Sequence, residues 1–283
     1  MGNCRICGQP AGFLKKVHST CREAQEKQDA ARAQGRTDIT SAARAAILDA
    51  IPLADLETRI GAIETTAGVP PDERVVLLVR AWQDAVDGLL EDKVLDKAEE
   101  DRLGAFTDYF KLPDDALRNT GAHERIVKAA ILRDIMEGKI PERVTLTGDT
   151  LVNFQKGETV VWAFPDCRYL EDKNHRQFVG GSQGVSVRIM KGVYYRVGAF
   201  KGEPVTTTER VHVDTGWLFV TSKNIYFAGP QKSMRIAYGK ILSFEPHDDG
   251  IGIMRDAASA KPQVFVTGDG WFTYNLVVNL ARL

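Results

Sequence analysis

The spacing of apolar residues divides this chain into two parts. From about residue 40 to residue 137, apolar residues recur every three or four positions, which is the period of an amphipathic helix. Beyond about residue 141 the period changes to two, which is typical of β-strands. The pattern therefore predicts an α+β protein in which a helical region precedes a sheet.

Local signals divide the helical part into segments. A first helix is expected to begin at STCREAQEKQ and to end at Gly35, and Pro52 breaks the apolar pattern that follows. Pro71 suits the start of the next helix. Asp96, together with Glu99 and Glu100, is expected to stabilise the amino-terminal end of a further helix. In the helix after Pro71, the apolar stripe predicted to face the protein core consists of Val75, Leu78, Trp82 and Val86.

The second part contains many short strand patterns. The candidates are ETVVWAF, GVSVRIM, VYYRVGAF, VTTTERVHV, WLFVTS, NIYFAG, SMRIAY, ILSFEP, IGIMRD and QVFVT. This density predicts an antiparallel barrel or sandwich. The polar, glycine-rich segment 164–184 is expected to be a loop between the first two strands. A final helix is expected after Asp269, with Phe272, Leu276 and Leu280 facing inward.

One stretch of the sheet region resembles a known domain family. Residues 214–241 follow G-x-L-x-[VI]-T-x-x-x-[IV]-x-F and then R-I-x-Y-x-K-I, at Gly216, Leu218, Val220, Thr221, Ile225, Phe227, Ile236, Tyr238, Lys240 and Ile241. This pattern resembles GRAM and bacterial pleckstrin-homology-like (PH-like) domains. The resemblance implies an antiparallel β-barrel closed by the terminal helix. Strands between Glu158 and Val213 exceed what such a domain needs, which implies an extra strand pair or an elaborated first sheet.

Three of the four cysteines lie near the amino terminus around a histidine. Cys4, Cys7, His18 and Cys21 form the pattern C-x2-C-x10-H-x2-C, whose thiolate and imidazole ligands suit tetrahedral zinc. The motif resembles zinc-ribbon and treble-clef knuckles, in which zinc is mostly structural. Four protein ligands leave no position for a catalytic water. Cys167 is interpreted as a buried strand residue rather than a ligand.

Composition limits the remaining choices. The chain has 283 residues and a formal net charge of -1, which fits about two domains and argues against a general polyanion binder. We predict a zinc knuckle with its following helix over residues 1–37, an acidic helical domain over 38–141 and a PH/GRAM-like domain over 142–283. No transmembrane segment or signal peptide is expected, which favours the cytoplasm. MGN followed by Cys4 matches an acylation signal poorly, because Ile6 stands where Ser or Thr is required.

The function predicted from these features is binding rather than catalysis. The sequence contains no G-x-S-x-G, H-E-x-x-H or phosphate-loop motif. We therefore expect a non-catalytic adaptor that binds a protein partner through a rim of cations, Lys223, Lys232 and Arg235. One alternative is binding of anionic lipid by basic side chains on the sheet domain. The other is binding of nucleic acid by the basic knuckle, where aromatic residues for base stacking are scarce.

Overall fold

A computed structural model describes residues 3–11, 16–91, 94–146, 152–179, 185–190, 193–197, 203–257 and 261–283. For those described residues that fall between 173 and 208, it describes the backbone alone. Helices come first and an antiparallel sheet follows, so the predicted α+β class is confirmed. The chain divides into two compact units, Met1–Arg133 and Asp134–Leu283. The finer division at residues 37 and 141 stays a prediction.

In the described part of the chain, six α-helices precede the sheet. They are α1 Ser19–Leu48, α2 Leu53–Ala67, α3 Arg74–Leu89, α4 Lys97–Phe110, α5 Asp114–Arg118 and α6 Ala122–Met136. Pro52 lies between α1 and α2, and Pro71 opens a short 3-10 turn before α3, as the sequence predicts. No helix in the described ranges is long and apolar enough to cross a membrane.

The first helix is much longer than predicted. It continues past Gly35 to Leu48, because Gly35 serves a close helix contact and not a helix end. A Cβ atom at Gly35 would lie 2.5 Å from the Cβ of Ala67 and 2.9 Å from Cγ2 of Val69. A glycine ends a helix when it takes a left-handed conformation, which Gly68 does at the end of α2 with φ of 69°. Gly35 instead lets α1 and α2 approach each other.

The core of the helical unit largely follows the predicted stripes. Leu78, Trp82 and Val86 of α3 are buried, whereas Val75 is 40% exposed, so the stripe begins one turn later than expected. At α4 the Asp96 carboxylate accepts a hydrogen bond from Glu99 N at 2.7 Å, and the Glu99 carboxylate accepts one from Asp96 N. This reciprocal cap confirms the helix start predicted at Asp96.

The second unit is built on a seven-stranded antiparallel sheet. Its strand order is β6-β5-β4-β1-β9-β8-β7, and a separate two-stranded sheet pairs β2 with β3. The closed barrel is not found, because β6 and β7 stand at opposite edges of the described sheet. The strands are β1 Val160–Val179, β2 Val185–Met190, β3 Val193–Val197, β4 Glu203–Thr221, β5 Asn224–Ala228, β6 Ser233–Ala237, β7 Ile241–His247, β8 Gly250–Arg255 and β9 Gln263–Val266.

Strand β1 contains most of the segment predicted to be a loop. It pairs with β4 from Val160 through to Val179, and β4 joins two strands that the sequence pattern separates. The loop prediction was wrong over residues 164–179, because polar residues there give no period-two signal. The expected extra strand pair is present as β2 and β3.

The core of the second unit lies on both faces of its central strands. All five residues of β5 are buried, although alternation predicted one exposed face. Tyr169, Phe227 and Phe265 pack together on one side, and Phe154 packs edge-on against Phe219 and Tyr226 in a second cluster. Residues outside the strands therefore cover part of the sheet.

The terminal helix α7, Gly270–Leu280, has the predicted form. Asp269 accepts a hydrogen bond from Phe272 N at 3.1 Å and caps the helix. Phe272, Leu276 and Leu280 are buried, and the helix contacts β7 and β8. The ring of Phe272 packs edge-on against Trp162 of β1 at 5.2 Å between centroids.

We predict that Gly35→Ala destabilises the helical unit. The added methyl group would overlap Ala67 and Val69, and overpacking costs about 1–3 kcal/mol. Alanine's better helix propensity offsets up to about 1 kcal/mol of this cost. The measurement is chemical unfolding followed by circular dichroism.

Gly61→Ala is the matched control. Gly61 lies in α2 with no atom within 4 Å of an added Cβ, so the same change should stabilise by about 0.5–1 kcal/mol. Equal effects of the two substitutions would show that Gly35 is not a packing contact.

Candidate metal centre

Cys4 and Cys7 are presented by a tight turn. Gly8 N donates to Cys4 O at 2.9 Å, and Cys4 N donates to Gln9 O at 2.7 Å. Gly8 has a φ of 76°, a left-handed conformation that glycine adopts without a steric penalty. The turn brings the two cysteine side chains to the same side of the loop.

His18 and Cys21 are presented by the beginning of α1. His18 is the N-cap residue, and its carbonyl accepts the first helical hydrogen bond from Arg22 N at 3.0 Å. Residues three apart in the first turn of a helix lie on the same face. Arg5 N also donates to Lys16 O at 3.1 Å, which ties the cysteine turn to the segment before the helix.

The four predicted ligands converge. The Sγ atoms of Cys4, Cys7 and Cys21 and a ring nitrogen of His18 all lie within 4.8 Å of one another. His18 Nδ1 is 3.4 Å from Cys7 Sγ and 3.7 Å from Cys21 Sγ. In tetrahedral zinc sites with Zn–S of about 2.3 Å and Zn–N of about 2.0 Å, a sulfur ligand and a nitrogen ligand lie about 3.5 Å apart. The two observed distances from His18 to sulfur therefore fit tetrahedral coordination of an ion.

A hydrogen bond defines which nitrogen of His18 faces the sulfur atoms. His18 Nε2 lies 3.0 Å from Pro10 O, and a carbonyl oxygen only accepts, so Nε2 carries the proton. Nδ1 of a neutral imidazole then presents its lone pair to the centre of the cluster. Metal-binding histidines are commonly oriented by such a bond from the second nitrogen.

The cysteines differ in their electrostatic surroundings. Cys4 is 2% exposed, and backbone N–H groups, first that of Cys7 and then that of His18, lower the pKa of its thiol to about 6. The pKa of Cys21 is raised to about 11 by its hydrogen bond with Cys7, by burial and by the neighbouring sulfur atoms. A bound cation would oppose the effect of the neighbouring sulfur atoms on Cys21, because metal ligation favours the thiolate form.

The fourth cysteine belongs to a different environment. Cys167 is fully buried in β1, where burial raises the pKa of its thiol to about 12. This placement confirms the prediction that Cys167 is a buried strand residue. Within the described ranges, the amino-terminal cluster is the one group of three or more His, Cys, Asp or Glu side chains spaced to hold a metal ion.

The three predicted rim cations are exposed but do not form one cluster. Lys223 lies in the β4–β5 turn, Lys232 lies in the turn before β6, and Arg235 lies within β6 opposite Tyr226. The two lysines therefore stand at opposite ends of β5. Lys232 Nζ is 3.9 Å from Glu171 Oε1, a weak exposed contact.

The turns that carry Lys223 and Lys232 are held by hydrogen bonds to two carboxylates that were not predicted from the sequence. Asp214, 5% exposed, accepts hydrogen bonds from the backbone N–H groups of Gln231 at 2.7 Å and Lys232 at 2.8 Å. Burial by itself would raise the pKa of Asp214, yet these donors hold it below its ordinary value. The partners are 17 and 18 residues away, so no local pattern marks this aspartate.

Glu158 has the corresponding role at the β4–β5 turn. Its carboxylate accepts a hydrogen bond from Tyr226 OH at 2.7 Å and others from Asn224 Nδ2 and Thr221 Oγ1. Burial opposes ionisation, but these bonds lower the pKa of Glu158 below its usual value. Both turns that carry the lysines are therefore fixed by charged hydrogen bonds.

No family model, curated protein or solved structure matches this chain.

We predict that His18 binds metal through Nδ1. Nitrogen-15 NMR of the metal-free protein should show the Nε2–H tautomer, and loading with metal should shift the Nδ1 resonance. His123, an exposed histidine of α6, is the internal control and should not respond to metal. A metal-dependent shift at Nε2 of His18 would contradict the assignment.

Proposed function

We propose that the amino-terminal cluster is a structural zinc site. The proposal is supported by three sulfur ligands, one imidazole nitrogen and a ligand spacing close to that of a tetrahedron. The loop that carries Cys4 and Cys7 is too short to build an apolar core of its own, and such segments fold when a metal staples them. Four protein ligands leave no coordination position for substrate.

We predict one zinc ion per chain purified without chelator. Cys7→Ser should reduce the zinc content well below one, because serine is a poor zinc ligand, while the sheet unit stays folded. Elemental analysis measures the metal, and circular dichroism follows the fold. Cys167→Ala should retain full zinc content as the control, and a metal-free parent protein would refute the site.

We further propose that the chain is a non-catalytic adaptor that binds a protein partner. The observation that carries this proposal is that the turns presenting Lys223 and Lys232 are anchored by hydrogen bonds to Glu158 and Asp214. Exposed charges on fixed turns steer and orient a partner without loss of core packing. The interior of the sheet unit is filled around Tyr169, Phe227 and Phe265, so its surface is the part available for recognition.

The order of the strands supports the finer proposal of a PH/GRAM-like domain. Strands β1, β4, β5 and β6 form consecutive antiparallel neighbours, β7, β8 and β9 form a second set, and a helix ends the chain. In this interpretation, β2 and β3 belong to an insertion between the first two strands of the domain. Fold alone does not identify the ligand, because related scaffolds bind lipids, peptides and proteins.

Charge argues against nucleic acid as the ligand of the knuckle. Arg22 lies 3.8 Å from Glu26, and the basic residues of this part of α1 are interleaved with acidic ones. With zinc bound, three thiolates also outweigh the two positive charges of the ion. Phosphate binding requires an excess of positive charge on one surface.

We predict that the combined Lys223→Glu, Lys232→Glu and Arg235→Glu variant folds normally and loses its protein partner. The partner is first identified by quantitative co-purification with the parent chain and is then titrated in purified form. Affinity should fall by at least about tenfold, since reversed interface charges repel the partner.

Lys261→Glu provides the control, because Lys261 is exposed two residues before β9 and lies outside the rim. Unchanged affinity of the triple variant would exclude the rim as the binding surface. Charge-dependent flotation of the parent with phosphatidylserine vesicles, without any protein partner, would favour the lipid alternative.

A further inference from the structure

The second unit contains a surface cavity that the rim cations do not line. Its volume is about 440 Å³, within the range of about 300–1,000 Å³ found for ligand pockets. It lies where β1, β4 and the β5–β6 turn meet. Its lining includes Asp166, Thr215, Gly216, Trp217, Pro230 and Ser233.

A β-bulge places an acidic residue at this cavity. Phe164 pairs with Leu218 and Cys167 pairs with Gly216, so Pro165 and Asp166 together stand opposite Trp217. Asp166 has a φ of 52°, a conformation that few residues other than glycine, asparagine and aspartate tolerate. Bulges commonly redirect a side chain next to a functional site.

Trp217 forms a flat wall of the cavity. Its ring stacks on Phe219 with an interplanar angle of 12° and a centroid distance of 5.8 Å. Phe219 is itself buried against Tyr226, Ala228 and Phe154, so the indole rests on a packed support. Trp217 nevertheless remains 40% exposed. The structure thus holds an aromatic surface open to solvent.

The cavity has an unneutralised negative charge. Among the described residues, Asp166 forms no ion pair, and Arg168 on the same strand lies instead 3.8 Å from Asp249. Asp214, next to Thr215, adds a second negative charge whose oxygens are already occupied by backbone N–H groups. An anion would be repelled here, and a neutral apolar ligand would desolvate Asp166 without pairing it.

We propose that this cavity, named here the Trp217 pocket, binds an arginine side chain of a partner protein. A planar guanidinium stacks on an indole face and pairs with a carboxylate through two parallel hydrogen bonds. Trp217 supplies the face and Asp166 supplies the carboxylate. Lysine, a compact charge without a planar group, satisfies only one of these two interactions fully.

This inference rests on the proposed adaptor function, because it names the chemistry of the partner, but it has its own test. Probe binding to the purified chain is measured without any partner. Lys232→Glu separates the two proposals further. It should weaken partner binding at the rim, yet it adds negative charge beside the Trp217 pocket and should leave arginine binding unchanged or tighter.

The experiment titrates the full chain with N-acetyl-arginine-N-methylamide and follows indole N–H signals by NMR. The chain has four tryptophans, so Trp217→Phe identifies the signal of residue 217 by its loss. The Trp217 signal should shift and saturate, and the lysine and norleucine analogues should bind more weakly.

Asp166→Asn tests the carboxylate while retaining the backbone conformation, because asparagine tolerates a positive φ as well as aspartate does. The affinity for the arginine probe should fall by about fivefold, the upper range for an exposed charge pair. Asp256→Asn, at an exposed position beyond β8, is the control and should bind as the parent does.

Three results would overturn the proposal. The first is the absence of a saturable shift at Trp217. The second is equal binding of the norleucine or lysine analogue, which would indicate an apolar groove or an unselective cation site. The third is an unchanged affinity in Asp166→Asn, with its fold verified by circular dichroism.

Discussion

The antiparallel pairing of β1 with β4 is the contact on which the second unit depends. β4 connects to β5 and β6, and β1 connects through β9 to β8 and β7, so this one pairing joins the two halves of the sheet. Two features of the proposed binding surfaces belong to the same pair. Its bulge presents Asp166 opposite Trp217, and Asp214 of β4 fixes the next turn. A register shift would flip the side chains to the other face and remove both features.

The amino-terminal segment depends on a different kind of interaction. Between residues 3 and 21 the described chain has one isolated β-bridge, between Asn3 and Pro10, and the first helical turn of α1. A few backbone hydrogen bonds arrange four ligands around a point, but they bury little apolar surface. The hydrogen bond with Cys7, burial and the neighbouring sulfur atoms raise the pKa of Cys21, and a cation bound at that point would favour its thiolate form. The ligand geometry and the electrostatics therefore favour the same chemistry.

The carboxylates of the second unit use their charge to order the backbone. Asp214 and Glu158 each accept several hydrogen bonds, and each fixes a turn that carries an exposed lysine. Asp166 differs because the described residues offer its carboxylate no ion-pair partner. The charges of Asp214 and Glu158 therefore maintain the fold, whereas the charge of Asp166 is available for a ligand. The Trp217 pocket is a separate surface from the lysine rim, because none of the three rim cations lines it.

The sequence by itself determined the class of the fold, the candidate metal ligands and both helix caps, because each depends on residues close together in the chain. Asp96 with Glu99, and Asp269 with Phe272, are local patterns, and the spacing of Cys4, Cys7, His18 and Cys21 reflects two short turns brought together by one loop. Only the tertiary structure decided that α1 passes through Gly35, since the reason lies in contacts with Ala67 and Val69. It also decided the length of β1, the open sheet and the Trp217 pocket. These depend on backbone pairing and side-chain approach between distant residues, which neither periodicity nor composition records.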